Sequence, residues 1–176
     1  CLVICIGYRC AGIFTHQSLL LMPNAFKILK TIHLALFMGM LIFAVAGMVV
    51  VEQQMMPMAD ESFQRIFQVV CVIVSLSCLV IGFNIFKRKM LAARNHPGSG
   101  EKRMELYRSA CILWWAMIEA PGLLATIGYI LTANLSFLAL AGLHILIILA
   151  FMPRKDNIIV LLNLTAADVA ELEGKA

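Results

Sequence analysis

The stretch Ser109–Ala133, SACILWWAMIEAPGLLATIGYILTA, decides the fold of this chain. An α-helix rises ~1.5 Å per residue, so about 20 apolar residues cross the hydrocarbon layer of a bilayer. This stretch is longer than that and contains one charged side chain, Glu119. Inserting a charged carboxylate at that depth costs on the order of 2.5 kcal/mol or more, so its side chain needs a partner or a wet cavity. We therefore predict a membrane span with an acid near its middle.

The composition extends the membrane interpretation to the whole chain. Hydrophobic residues make up 62% of the 176 residues and charged residues 14%, whereas soluble domains are about 25% charged. The mean hydropathy is +0.92. Charges are clustered between long apolar runs, a pattern typical of a polytopic helical membrane protein. These features exclude an ordinary soluble globular protein.

Four apolar segments are separated by polar or turn-forming residues. The first connection is acidic and is broken by Pro57, and Asp60 or Ser62 can cap the helix that follows. The second connection is basic and centres on the turn signal Pro97–Gly100, whereas Asn134 marks a tight turn before the last segment. We therefore predict an all-α fold, a polytopic transmembrane four-helix bundle. Its predicted spans are residues 32–52, 63–86, 109–133 and 135–152.

The distribution of Lys and Arg predicts the orientation of the spans. Cationic side chains flank one end of every span only if the N-terminus, the basic connection and the C-terminus lie on the same side. Short loops rich in Lys and Arg stay in the cytoplasm, so both termini are predicted to be cytoplasmic, in a bacterial plasma membrane. Topology and attraction to anionic headgroups explain these charges, and we expect no nucleic-acid partner. The residues concerned are Lys27, Lys30, Lys87, Arg88, Lys89, Arg94, Lys102, Arg103, Arg108, Arg154 and Lys155.

The first 22 residues differ from the rest of the chain. They are apolar but are interrupted by polar side chains, and they lack the basic region and cleavage site of a secretory signal. We expect residues 1–22 to be an N-terminal extension, with translation naturally starting at Met22. The alternative is a lipid-modified Cys1.

The last residues, 154–176, predict a cytoplasmic amphipathic tail of two short helices. Asp156 can cap the first helix. Thr165 and Asp168 form a variant capping box for the second helix. The tail either packs against the bundle as a cap or provides a docking site for a partner.

Glu119 and His144 are the candidate ion- or proton-binding residues. His144 lies at a similar depth in the neighbouring antiparallel span, so a hydrogen bond between the two side chains is predicted. The pair serves either as a proton relay or as a buried polar contact that stabilises the bundle. Pro121 leaves the carbonyl of Met117 without its helical donor, and together with Gly122 it predicts a helix kink.

The remaining polar and aromatic residues of the spans predict no further chemistry. His33 and Asn84 each lie one turn from a lysine and are expected to reach interfacial water. Trp114 and Trp115 are expected to face lipid or to pack between helices. The six cysteines and the methionine clusters show no ligand spacing, so we expect no metal and no cofactor. There is no P-loop, GxSxG or HExxH motif, and an enzyme is not predicted.

A soft internal repeat relates the first and third spans. Ala35–Gly39 aligns with Ala116–Ala120, which places Met38 at the position of Glu119. Two spans that run in the same direction suit a parallel duplication of a two-helix unit. The alternative explanation of the shared pattern is that small residues are common wherever transmembrane helices pack closely, without any duplication.

The segment AMIEAPGLLATIGYIL, Ala116–Leu131, resembles the carboxylate-bearing helix of the proteolipid (c-type) subunits of rotary ATPases. That resemblance implies that Glu119 is an ion-binding residue. As a whole, the chain resembles small four-span bacterial membrane proteins of unknown function. Three functions follow as expectations: a non-enzymatic membrane component that associates with itself or with another membrane protein, a proton- or ion-translocating subunit, and a docking protein that acts through its basic connection and tail.

Overall fold

The computed structural model describes residues 24–53 and 59–174 of the chain. Helices account for 86% of these residues and strands for none of them, so the all-α prediction is confirmed. The predicted extension of residues 1–22, with Cys1 and Met22, lies outside the described residues, as does Pro57. The helices are α1 (Ala25–Glu52), α2 (Glu61–Arg94), α3 (Gly100–Thr132), α4 (Leu135–Ala150), α5 (Lys155–Leu162) and α6 (Ala166–Leu172).

Three of the helices, α1, α2 and α3, are each long and apolar enough to cross a membrane. A fourth span exists if α4 and α5, which meet at an angle of 69°, are counted together. Only 17% of the apolar segment of α1 and of α2 is buried inside the protein, against 50% for α3. Such large exposed apolar faces are costly in water, and they suit a lipid environment.

Helix α3 lies at the centre of the structure, where α1, α2 and α4 all pack against it. Its small residues permit close approach. A methyl group added at Gly128 would lie 2.6 Å from the ring of Phe137 in α4. One added at Gly82 in α2 would lie 2.9 Å from the Cβ atom of Met117 in α3. Gly128 in α3 and Gly82 in α2 are therefore packing positions.

The basic segment predicted as a loop is mostly helical. Helix α2 continues past its apolar part to Arg94, and α3 begins at Gly100, so only residues 95–99 connect them. The Ser99 side chain accepts a hydrogen bond from the amide of Lys102 at 3.4 Å and caps α3. The basic residues are strong helix formers and extend both helices beyond the predicted spans.

The predicted tail helices are both present as α5 and α6. Thr165 and Asp168 form the predicted capping box of α6, with each side chain bonded to the backbone of the other residue. The prediction that Asp156 caps α5 is wrong, because Arg154 occupies the cap position and Asp156 lies in the first turn. In the first turn its negative charge still stabilises the helix, because it interacts favourably with the positive end of the helix dipole.

The tail packs onto the beginning of α3 through a polar junction. The Gly100 amide donates to Asp168 Oδ1 at 3.1 Å, and a methyl group at Gly100 would lie 2.5 Å from the Asp168 side chain. Arg103 donates to the carbonyls of Leu162 and Asn163 at 3.1 and 2.9 Å, where α5 ends. The apolar faces of both tail helices are buried at this junction, through Ile158, Leu162 and Leu172.

The junction also lowers the pKa of Asp168. The main cause is the hydrogen bonds that its carboxylate accepts from the amide and the hydroxyl of Thr165. The Gly100 amide and the Arg103 guanidinium, 3.6 Å away, act in the same direction. The charged form of Asp168 therefore stabilises the docked tail.

Candidate functional site

Among the described residues, His144 is the most buried polar side chain, and both of its ring nitrogens are bonded. It is 0% exposed on α4. Its Nδ1 atom lies 2.9 Å from the carbonyl oxygen of Leu140, and its Nε2 atom lies 3.2 Å from Ser75 Oγ on α2. A carbonyl oxygen only accepts, so Nδ1 donates; in the neutral ring Nε2 then accepts from the Ser75 hydroxyl. His144 thus forms a sealed contact between α2 and α4.

The predicted hydrogen bond between Glu119 and His144 is not formed. A methyl group added at Gly122 would lie 3.0 Å from the Cβ atom of His144, so Gly122 is the α3 residue opposite this histidine. Glu119 lies nearly one helical turn earlier. Among the residues that the structure describes, Glu119 has no hydrogen-bond or ion-pair partner.

Three contacts along α1 and α3 define where Glu119 lies. His33 packs on Trp115 with ring centroids 5.0 Å apart. A methyl group at Gly122 would lie 2.5 Å from Met40 Cε, and one at Gly47 would lie 3.1 Å from Thr126 Cγ2. Residue numbers increase in the same direction along both helices in these contacts. Helices α1 and α3 therefore run parallel, as predicted for the first and third spans.

Glu119 belongs to the stripe of α3 that faces α1. It follows Trp115 by four residues and precedes Gly122 by three, and residues at these spacings share one helix face. Glu119 itself is half-buried, whereas Ala116 and Ala120 beside it are exposed. The carboxyl group therefore lies at the edge of the α1–α3 contact, beside the outer surface of the protein.

Pro121 and Gly122 are both buried inside α3, which continues as a helix through them. At Gly122 both α1 and α4 lie close to α3, through Met40 and His144. Thr126 donates its hydroxyl hydrogen to the Gly122 carbonyl at 3.1 Å. Gly122 is thus a three-helix contact position.

His33 is a second buried histidine, and the prediction that it reaches interfacial water is wrong. It is 3% exposed, and its Nε2 atom donates to the carbonyl of Ile148 at 2.8 Å. That carbonyl lies in the last turn of α4, where the Met152 amide bonds to Leu149 instead. The last carbonyl groups of a helix have no amide donor within the helix. The His33 side chain supplies the donor for one of them.

The two tryptophans pack between helices, one of the two roles expected for them. Trp114 is 3% exposed and Trp115 is 1% exposed. Trp114 contacts Phe86 of α2 and Phe151, with ring centroids 6.2 and 5.4 Å away.

Glu119 carries the carboxyl group of this region that the described residues leave unbonded. Within residues 24–53 and 59–174, no group of three or more His, Cys, Asp or Glu side chains is placed to hold a metal ion. Glu119 can take up and release a proton alone, whereas a bound cation needs further ligands beside the carboxyl group.

Comparisons with protein-family models, with curated proteins and with solved structures find no match to this chain. The resemblance of Ala116–Leu131 to the proteolipid helix therefore stays a prediction. The function is inferred from the contacts described above.

Proposed function

We propose that this chain is a non-enzymatic subunit of a larger assembly in a bacterial plasma membrane, and that it binds another transmembrane helix through Glu119. The partner is a second copy of the chain or a different membrane protein. In this proposal the four spans form a bundle with both termini in the cytoplasm. The basic ends of α2 and α3 and the residues Arg154 and Lys155 then lie on the cytoplasmic side.

The observation that supports this function is the unpaired carboxyl group of Glu119. Eleven residues, or about 16 Å of helix, separate it from Arg108, and in this proposal that distance corresponds to the middle of a bilayer. An unpaired polar group at this depth is costly, and a partner helix with a donor or acceptor removes the cost. Ala116 and Ala120 beside it are exposed and small, so a second helix can approach closely.

Fluorescence resonance energy transfer between differently labelled copies in liposomes tests association of the chain with itself. Affinity capture from native membranes tests association with a different protein. Interhelical hydrogen bonds in membranes are worth about 0.6 to 1.7 kcal/mol. Glu119→Leu should therefore weaken association about 3- to 20-fold. Glu119→Gln keeps hydrogen-bonding capacity and should retain most of the association.

The matched control is Ile127→Ala, which truncates an exposed α3 side chain and should leave association unchanged. Association and capture that are both unaffected by Glu119→Leu would refute the proposal.

The second candidate function is proton or cation translocation at Glu119. It is favoured by the same carboxyl group, since a single unpaired acid near mid-depth can bind and release an ion. His144 is not placed to assist, because Ser75 and Leu140 occupy its ring nitrogens. Glu119→Gln separates the candidates: translocation predicts that liposome flux is lost while association persists, and the absence of flux in both proteins would remove translocation.

Docking through the basic segment and tail is the third candidate. The apolar faces of α5 and α6 already pack against the rest of the chain, which favours a structural role for the tail. A docking function predicts partner capture that survives Glu119→Leu and is lost on deletion of residues 154–176.

A further inference from the structure

A stripe of exposed side chains runs along the outer side of α2. Its members follow one another by alternating steps of four and three residues, which is the spacing of a coiled-coil contact. The four aliphatic members are between 44% and 67% exposed. The buried residues Cys71, Ser75 and Gly82 lie on the opposite side of the helix. We call this stripe the α2 seam, and it consists of Ile66, Val70, Ile73, Ser77, Val80 and Asn84.

Two members of the α2 seam are polar and keep open hydrogen-bonding groups. Ser77 is exposed, and its hydroxyl has no hydrogen-bond partner in the described part of the chain. The buried hydroxyls of Ser75 and Thr126, by contrast, are both bonded. The exposed Asn84 donates from Nδ2 to the Val80 carbonyl at 2.8 Å, but no described residue donates to its Oδ1 atom. The seam therefore offers a hydroxyl and an amide to a neighbour.

The depth of Ser77 makes its open hydroxyl costly. Ten residues, or about 15 Å of helix, separate it from Lys87, the first basic residue after the apolar part of α2. With Lys87 at the level of the headgroups, Ser77 lies about halfway through a hydrocarbon layer of ~30 Å. Lipid tails offer neither a donor nor an acceptor, so a polar group there gains from a partner on another helix.

A second copy of the chain matches the α2 seam at every position. The same basic residues flank both copies, so both insert with the same orientation and their α2 helices run parallel. A two-fold axis along the membrane normal then places each seam residue opposite its own counterpart, at the same depth. Hydroxyl and amide groups both donate and accept, so Ser77 can pair with Ser77 and Asn84 with Asn84. An unrelated helix would need complementary groups at the same spacing of seven residues.

We propose that the α2 seam binds the α2 seam of a second copy, as a parallel pair of helices within the membrane. The Ser77 hydroxyls bond across the axis, and the Asn84 amides fix the register, as an Asn in a coiled-coil contact does. The seam does not include Glu119, so the contact does not rest on the proposed function. It joins folded copies, so it strengthens association and does not affect the unfolding of a single copy diluted in detergent.

Disulfide cross-linking in liposomes tests which face of α2 meets a second copy. Single cysteines are introduced into the full chain without its six native cysteines, and oxidation is followed over time. A disulfide needs Cα atoms about 4.4–6.8 Å apart, which directly opposed seam residues of a parallel pair satisfy. Ile73→Cys and Ser77→Cys should therefore form covalent dimers rapidly.

The matched control for cross-linking is Val72→Cys. Val72 is 40% exposed and lies next to Ile73 in the chain, but its side chain points about 100° away from that of Ile73 around the helix. It should cross-link severalfold more slowly than Ile73→Cys. Equal rates at positions 72 and 73 would overturn the proposal, because they would show random collisions. Absence of dimers at both seam positions would also overturn it, and lipid or another protein would then cover the seam.

Fluorescence resonance energy transfer between labelled copies measures the contribution of the polar pair. Ser77→Leu should weaken association about 3- to 20-fold, the range expected for hydrogen bonds between membrane helices. Ser77→Thr keeps the hydroxyl and should retain most of the association, whereas Val72→Ala should leave it unchanged. Association that is the same in Ser77→Leu and in the native protein would refute the pairing of the hydroxyls. Circular dichroism checks that each variant keeps its helical content.

A combined variant separates this contact from the one proposed at Glu119. Cross-linking of Ile73→Cys should persist when Glu119→Leu is added, because the α2 seam lies on a different helix. Loss of the cross-link in the combined variant would overturn an independent seam, since Glu119 would then bring the copies together. Persistence of the cross-link, with association and capture unaffected by Glu119→Leu, would refute the proposed function alone.

Discussion

The contact between Ser75 and His144 gives the sharpest test of the packing between α2 and α4. Ser75→Ala removes the hydroxyl group 3.2 Å from His144 Nε2 and leaves that nitrogen buried without its partner. Leaving a buried acceptor unpaired costs about 1–3 kcal/mol in water-soluble proteins. Hydrogen bonds between membrane helices average about 0.6 kcal/mol and reach about 1.7 kcal/mol. We expect the coupling energy between the two side chains to fall within this membrane range.

A double-mutant cycle measures this coupling. The free energy of unfolding in mixed micelles is determined for the native protein, Ser75→Ala, His144→Leu and the double variant. His144→Leu alone should cost more than Ser75→Ala, because it also removes the bond to the Leu140 carbonyl. Ser77→Ala is the matched control, since Ser77 is exposed on the same helix, and its effect should stay within about 0.5 kcal/mol.

Two results would refute this description of the core. The first is a coupling energy indistinguishable from zero, which would mean that Ser75 and His144 are not bonded in the membrane. The second is an equal loss of stability in Ser75→Ala and Ser77→Ala, which would remove the distinction between a buried and an exposed serine.

Three further predictions concern helix approach, tail docking and the second histidine. Gly122→Leu should destabilise the fold by about 1–3 kcal/mol in an unfolding titration, because its side chain would overlap α1 and α4, whereas Gly142→Leu, with open space around it, should have little effect. Because the folded-state pKa of Asp168 is lowered, its stabilisation of the tail is complete above the ordinary value of 3.8 and declines as the pH falls below it. Limited proteolysis should therefore release the tail faster in acid, and Asp168→Asn should weaken docking at neutral pH and remove the acid dependence. His33→Phe should cost about 1 kcal/mol by leaving the Ile148 carbonyl unpaired, and unchanged stability would contradict the assignment of this bond.

The helices could be predicted from the sequence. A hydrophobic run long enough to cross a bilayer has to pair its backbone N–H and C=O groups internally, and an α-helix does so. The extension of α2 to Arg94 was missed because the prediction counted only apolar residues, whereas Lys, Arg, Leu and Ala all favour helix. The capping box of Thr165 and Asp168 was predictable since its two bonds form between residues three apart.

The long-range contacts were harder to predict from the sequence. Counting residues from the basic flanks predicted similar depths for Glu119 and His144. Such a count gives the depth of a side chain only to about one helical turn, or 5.4 Å. A hydrogen bond requires a donor–acceptor distance of about 3 Å. The bond between His33 and Ile148 joins residues 115 positions apart. It depends on a carbonyl at the end of α4 that stays open because the Met152 amide bonds to Leu149, a detail of the helix end that the sequence does not reveal.

The depth of Glu119 is the most direct test that lipid is the solvent of these helices. In a background without the six native cysteines, spin labels are attached to Glu119→Cys and Arg88→Cys in liposomes, and their collisions with oxygen and with a water-soluble nickel chelate are compared. We predict that oxygen collisions dominate at position 119 and that chelate collisions dominate at position 88. Chelate accessibility at position 119 equal to that at position 88 would contradict a carboxyl group in the middle of the membrane.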